Sequence, residues 1–167
     1  MVVYCTGSTL QEMIMGSTLV FGERVNTNRR YLNADHASVG DEHCWSKSFH
    51  WWNILFTMIA TGDNNPIHWN RAFAAKTQFK RPILHGVATI GEISKILGKT
   101  FPGHGTIFVE LESKFRQPVY PGDTVDFSAR VEEITAKKML IIAVEAKVGE
   151  VVTLRGKAKV FLAEHIE

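Results

Sequence analysis

An aspartate and a histidine stand five positions apart in this 167-residue chain, on either side of a short turn. Asp63 and His68 belong to the stretch "ATGDNNPIHWNRAFA", in which an Asn-Asn-Pro sequence reverses the chain. A carboxylate and an imidazole form the usual general acid–base pair, because burial and mutual interaction can shift both pKa values toward neutrality. The same residues are also common turn formers. Taken alone, the stretch therefore favours a turn over a catalytic pair.

A glycine at the start of an apolar helix favours the catalytic interpretation of this pair over a simple turn. The stretch "HGVATIGEISKILGK" predicts a helix that begins at Gly86 and has Gly98 near its end. A helix N-terminus offers unpaired N–H groups and a partial positive charge, and a glycine lets a ligand oxygen approach them. Such donors would stabilise the charge that develops on a thioester enolate oxygen. A helix-entry glycine without a ligand is also common, and His85 beside it is interpreted as a structural neighbour.

Three helices are predicted before residue 100. The helix from Gly86 should be largely buried, because one side of it is apolar, with Val87, Ile90, Ile93, Ile96 and Leu97. The stretch "HWWNILFTMIATG" predicts an earlier helix that ends at Gly62, with Trp52, Leu55, Phe56 and Ile59 at helical spacing. A shorter helix, "RAFAAKTQF", is predicted after Pro66.

Four β-strands are predicted after residue 105. They are "TIFVELESKFRQ", "TVDFSARVEEI", "KMLIIAVEAKV" and "VVTLRGKAKVFLA", rich in β-branched residues and separated by turn signals at Pro121-Gly122 and Gly149. In the first strand, Ile107, Val109 and Leu111 alternate with polar partners. Helices followed by antiparallel strands predict an α+β fold, in which a curved sheet packs against one buried helix.

Composition and charge exclude several classes of protein. With 45% apolar and 22% charged residues, the chain matches a globular protein with one core. A net charge of only +2 and scattered basic residues argue against nucleic-acid binding. No apolar run approaches the ~20 residues that span a bilayer. Cys5 and Cys44 are expected to be free thiols in a reducing compartment.

Residues 1–37 are interpreted as an N-terminal extension of unknown role, and residues 38–167 as the folded domain. The extension is rich in Ser, Thr, Gly and Asn and lacks the features of a secretory signal. The expected location is therefore cytoplasmic, with the mitochondrial matrix as the alternative if the extension is a presequence.

Three blocks together resemble a known family. The blocks "TGDNNPIHWNRAFA", "RPILHGVATIGEISKILG" and "FRQPVYPGD", in this order, are similar to those of the MaoC-like, R-specific enoyl-CoA hydratases (hydratase 2). The same family includes (3R)-hydroxyacyl-thioester dehydratases. The resemblance covers residues 38–163, and its specific part is Gly-Asp-x-Asn-Pro-x-His in the first block.

The resemblance implies a fold and a set of site residues. The fold is a single hot-dog domain, an antiparallel sheet wrapped around a central helix, which forms a homodimer and needs no cofactor. Asp63 and His68 match the catalytic pair, and Gly86 matches the residue whose N–H forms the oxyanion hole. Asn65 matches the signature asparagine, expected to orient the loop or the pair, with a turn-capping role as the alternative. Ser94 falls at a family serine near the catalytic groups and is expected to contact substrate.

The resemblance also implies a reaction. The protein would be a lyase that catalyses reversible syn hydration of trans-2-enoyl thioesters, carried on CoA or acyl-carrier protein, to (3R)-hydroxyacyl thioesters. Asp63 is favoured as the base toward water. The alternatives are a hot-dog acyl-CoA thioesterase and a non-catalytic acyl-thioester-binding subunit of a dehydratase. A metal site is not expected, because His36, His43 and His50, with Cys44, show no recognised ligand spacing.

Overall fold

The structure, a computed structural model, describes residues 19–20, 23–24 and 37–163. Within these ranges the elements are β1 (Leu19–Val20), β2 (Glu23–Arg24), β3 (Glu42–Ser48), α1 (Trp51–Thr61), a 3-10 turn (Pro66–His68), α2 (Arg71–Ala74), α3 (Gly86–Lys99), β4 (Thr106–Phe115), β5 (Thr124–Ile134), β6 (Leu140–Val148) and β7 (Val151–Leu162). The four predicted strands and the helices over α1 and α3 are confirmed, whereas the helix predicted over "RAFAAKTQF" is present only as the four residues of α2.

Strands β3 to β7 form one antiparallel sheet in the order β3-β5-β6-β7-β4. Side chains along a strand alternate between its two faces, and β5 follows this rule with Val125, Phe127, Ala129 and Val131 all buried. The buried face of the sheet packs with α3 into one core. This arrangement is the predicted α+β hot-dog fold.

Helix α3 is the central helix of the fold. Ile93, Ile96 and Leu97 are fully buried in the core, as the apolar pattern predicts. The expectation for Val87 is wrong, because this side chain in the first turn of α3 is exposed. Thr89 is buried instead, on the side of the helix that continues from Gly86 at i+3. The first turn of α3 therefore has the small residue Gly86 and the buried polar residue Thr89 on one side.

Helix α1 carries its large apolar side chains on the outside. The helix begins where the His50 N–H donates to Asn53 Oδ1 over 2.7 Å, and it ends at Gly62, whose φ of 73° is left-handed. Ile54 is its buried residue. The exposed residues of the α1 apolar face are Trp51, Trp52, Leu55, Phe56 and Ile59. Patches of this kind mark interaction surfaces.

The two edge strands differ most from expectation. Strand β3 was not predicted, because Trp45 is its one buried residue and the rest of the strand lacks a regular apolar alternation. In β4 a register shift between Phe108 and Glu110 interrupts the alternation. Ile107 and Val109 lie on the exposed face, whereas Leu111, beyond the shift, packs against the core.

Cys44 is disulfide-bonded in the structure, so the expectation of a free thiol is wrong at this position. The expected cytoplasmic location loses the support that a reduced cysteine would have lent it. Cys5 and His36 lie outside the described residues. Among the helices that the structure describes, none is long and apolar enough to cross a membrane.

Candidate active site

Short-range hydrogen bonds build the loop that carries Asp63 and His68. The Asp63 N–H donates to Thr61 Oγ1 over 3.2 Å, and Asp63 Oδ1 accepts from the Asn65 N–H over 3.1 Å. Asn65 Oδ1 accepts from the Ile67 N–H over 3.2 Å and caps the 3-10 turn that Pro66 begins. Such side-chain-to-backbone bonds are why Asp, Asn and Pro favour this turn. Asn65 therefore orients the loop through its turn-capping side chain.

His68 presents one ring nitrogen to Asp63. Its Nδ1 lies 2.9 Å from the Ile83 carbonyl oxygen, which can only accept, so Nδ1 carries a proton. Its Nε2 is 3.9 Å from Asp63 Oδ2, which is too far for a direct hydrogen bond. A water molecule can lie about 2.8 Å from both atoms across such a gap. The pair can therefore share one water, with proton exchange at Nε2.

The two side chains of the pair differ in their exposure to solvent. The Asp63 side chain is 47% exposed, whereas the His68 side chain is only 11% exposed. The carboxylate can exchange water with solvent, while the imidazole is held inside the domain.

His85 is a third member of this cluster. Its Nε2 lies 3.1 Å from the Asp63 carbonyl oxygen, and its ring stacks on that of His68 with the centroids 3.7 Å apart. His85 is 1% exposed. Burial lowers the pKa of His85, and the nearby His68 lowers it further, against raising contributions from its hydrogen bond to the Asp63 carbonyl and from the Asp63 charge. The lowered pKa favours the neutral ring, and the contact with the Asp63 carbonyl, which can only accept, places a proton on Nε2.

The lowered pKa of His85 makes stability depend on pH. The unfolded chain takes up a proton at His85 near its ordinary pKa of 6.5, while the folded protein does so only at lower pH. Stability is therefore present above 6.5 and falls as the pH drops toward the folded-state pKa. We expect His85→Gln to remove this contribution, which has a maximum slope of about 1.4 kcal/mol per pH unit. Urea unfolding of both proteins at pH 7.5 and 5.5 measures it, and parallel pH dependences would contradict it.

Gly86 lies at the start of α3, where first-turn N–H groups have no acceptor within the helix. A Cβ atom at this position would lie 2.7 Å from Cζ of Phe115, an exposed side chain that would have to shift to admit a larger residue. The sequence suggested a different reason for glycine, the approach of a ligand oxygen. The structure adds the contact with β4.

A cavity of about 650 Å³ opens beside these groups. Its lining includes His68, Gly86 and Thr89, together with apolar residues Leu84, Val119 and Leu154 and polar residues Gln78, Arg116 and Gln117. Thr89 was not predicted as a site residue. Its position three residues after Gly86 could have indicated it, because residues i and i+3 lie on the same side of a helix. An apolar cavity with a few polar groups is the usual form of a small-molecule site.

Ser94 is not among the residues that line this cavity. It lies eight residues after Gly86 on the same helix, which corresponds to about 12 Å along the helix axis. The structure places His68 and Gly86 in the cavity lining and Asp63 within 3.9 Å of His68, with Asn65 at the turn. Asp63 does not itself line the cavity, and the role of Ser94 stays a prediction.

Asp63, His68 and His85 could also hold a metal ion, since one ligand-type atom of each lies within 4.8 Å of the others. In residues 37–163 this is the one such group of three. Coordination through His85 Nε2 would break its bond to Asp63 and move its proton to Nδ1, which is buried without a partner. Of the histidines in the seven-residue pattern, His43 contacts the ring of Trp45 and His50 contacts that of Trp52.

Fold and site together define the class of the protein, a hot-dog domain with a carboxylate–imidazole pair beside its central helix. The chain belongs to the family described as MaoC like domain, whose sequence model matches residues 52–153. A 3-hydroxybutyryl-CoA dehydratase from Methylorubrum extorquens is 42% identical over 101 residues, 60% of this chain. The chain covers 64% of the length of that relative.

Other relatives are covered more fully. An (R)-specific enoyl-CoA hydratase from Aeromonas caviae is 34% identical over 107 residues, which are 64% of this chain and 80% of the relative. The structure of an R-hydratase from Pseudomonas aeruginosa has a TM-score of 0.75 and 27% identity, covering 82% of this chain and 91% of that chain. The A. caviae (R)-hydratase structure has a TM-score of 0.72 and 30% identity, covering 76% and 98%.

Proposed function

We propose that the protein is a lyase that hydrates trans-2-enoyl thioesters reversibly to (3R)-hydroxyacyl thioesters. The observation that carries this proposal is the 3.9 Å separation between Asp63 Oδ2 and His68 Nε2 in a loop beside the cavity. Relatives named (R)-specific enoyl-CoA hydratase and 3-hydroxybutyryl-CoA dehydratase support the same reaction. The substrate is an enoyl-CoA by this similarity, and an acyl-carrier-protein thioester is the second carrier to be tested.

The proposed catalytic residues are Asp63, His68 and Gly86. Asp63 removes a proton from the shared water as the water oxygen bonds to C3 of the enoyl group. The π electrons move to the carbonyl oxygen, and the Gly86 N–H stabilises the resulting enolate. The Nε2–H of protonated His68 then delivers a proton to C2 on the same face, and the proton held by Asp63 restores His68. Water is thus added in full, with no net change in the protein.

The hydrogen bond between His68 and Ile83 supports this division of labour. Since the Ile83 carbonyl holds the Nδ1 proton, the imidazole gains and loses its other proton only at Nε2. Nε2 is also the atom that faces Asp63 Oδ2. We infer that Asn65 acts on this pair indirectly, by holding the turn between its two members.

We also propose that the protein is a homodimer of domains comprising residues 38–167, with residues 1–37 as an extension. Two features support association. The α1 apolar face exposes five large side chains, and β4 is an edge strand with Ile107 and Val109 exposed. Edge strands offer unpaired backbone groups to a second sheet.

An assay with crotonyl-CoA tests the proposed function. We expect the enoyl absorbance in the ultraviolet to fall without release of free thiol, because hydration removes the conjugated double bond and leaves the thioester intact. Chiral analysis of the product should give the (3R) isomer. Release of thiol would instead identify a thioesterase. If neither signal changes with CoA or acyl-carrier-protein substrates of several chain lengths, the hydratase proposal fails.

A further inference from the structure

His85 contacts both members of the proposed acid–base pair. We propose that His85 is a positioning residue for the reaction, whose Nε2–H holds the backbone of Asp63 and whose ring holds the imidazole of His68. This inference rests on the proposed function and extends it to a residue that does not itself exchange a proton with substrate. His85 also directly precedes Gly86, so one residue links the pair to the oxyanion donor.

The hydrogen bond from His85 to Asp63 joins two distant parts of the chain. The bond spans 22 residues and is 3.1 Å long. The other hydrogen bonds described for Asp63 go to Thr61 and Asn65, each two residues away. Those local bonds shape the loop, but they cannot set its distance from α3. The His85 bond therefore fixes Asp63 relative to the helix that carries Gly86.

The stacked ring of His85 constrains His68. The two rings are 3.7 Å apart at their centroids and inclined by 24°. The bond from Nδ1 to Ile83 holds one edge of the His68 ring, and the His85 ring covers one face of it. Together these contacts keep Nε2 directed toward Asp63.

His85 therefore sets the relative positions of Asp63, His68 and Gly86. A misplacement of about 1 Å in a catalytic group can reduce the rate by about 100-fold. His85 is 1% exposed, so solvent does not replace its contacts when the side chain is changed. Its substitution should consequently reduce the rate of the chemical step more than the binding of substrate.

Two substitutions separate the hydrogen bond from the stacked ring. His85→Gln keeps an N–H donor and removes the ring, whereas His85→Phe keeps a ring and removes the donor. We expect kcat with crotonyl-CoA to fall about 10-fold in His85→Gln and about 100-fold in His85→Phe, with KM little changed in both. His43→Phe is the matched control, because His43 also stacks on aromatic rings but does not line the cavity. It should keep the wild-type kcat.

Wild-type kcat in either folded variant would overturn the proposal. An equal loss of activity in both, accompanied by a raised KM and a lowered Tm, would assign His85 a structural role only and also overturn it. Imidazole NMR provides a readout that does not require the proposed reaction. We expect the His68 ring protons to lose their upfield ring-current shift in His85→Gln and to keep it in His85→Phe. If the wild type does not hydrate enoyl thioesters, the proposed function fails, while unchanged His68 signals in both variants would separately refute the positioning role.

Discussion

Asp63→Asn is expected to reduce kcat for crotonyl-CoA hydration by about 1,000-fold, since general acid–base groups contribute on the order of 10²–10⁴ in rate. The amide has the size of the carboxylate, and its oxygen can still accept from the Asn65 N–H, so the loop should be preserved. The substitution removes the negative charge and the basic oxygen that would take a proton from water. The measurement is kcat and KM by loss of enoyl absorbance, with circular dichroism to verify the fold.

Asp126→Asn is a matched control for this experiment. Asp126 is exposed on β5 and accepts a hydrogen bond from Ser46, away from the cavity. The amide oxygen can still accept that bond, so activity should equal that of the wild type. Substantial activity in Asp63→Asn, in a preparation free of deamidated protein, would remove Asp63 from the proposed mechanism.

His68→Asn is expected to have a comparable effect, a loss in kcat of about 1,000-fold. The asparagine amide nitrogen can occupy the position of Nδ1 and donate to the Ile83 carbonyl, so the backbone around the site should keep its bond. The substitution removes Nε2, the atom 3.9 Å from Asp63 that would deliver the proton to C2. Single-turnover rates with crotonyl-CoA would measure the chemical step directly.

His104→Asn serves as the control for the histidine substitution. His104 is exposed in the turn before β4 and does not line the cavity. Asparagine suits a turn, so this variant should fold and react like the wild type. A His68→Asn protein that keeps its rate would show that the imidazole is dispensable, and water activation would then have to be assigned to Asp63 alone.

The loop with the proposed catalytic pair could be predicted because its folding is local. Gly62 ends α1, Pro66 begins the 3-10 turn, and the hydrogen bonds of Asp63 and Asn65 reach only two residues along the chain. Local bonds of this kind follow from residue type. The buried side of α3 was predicted for a similar reason, since helical periodicity depends only on the order of residues.

The contacts of His85 could not be predicted in the same way. Its bond to Asp63 depends on how the loop packs against α3, which no short-range pattern records. The expected substrate contact of Ser94 stays a prediction, because it rests on a match to a family position and Ser94 does not line the cavity. In β4 the register shift before Glu110 changed which side chains face the core. A bulge of one residue leaves little trace in an apolar pattern.

The α1 apolar face has a consequence for handling the protein. The described part of one subunit leaves the five large apolar side chains of this face exposed to water. If pairing covers them, measured stability will rise with protein concentration, as mass action requires for any species that binds only the native form. Dilute samples would then lose more protein by adhesion to surfaces, and a melting temperature would have meaning only with its concentration stated.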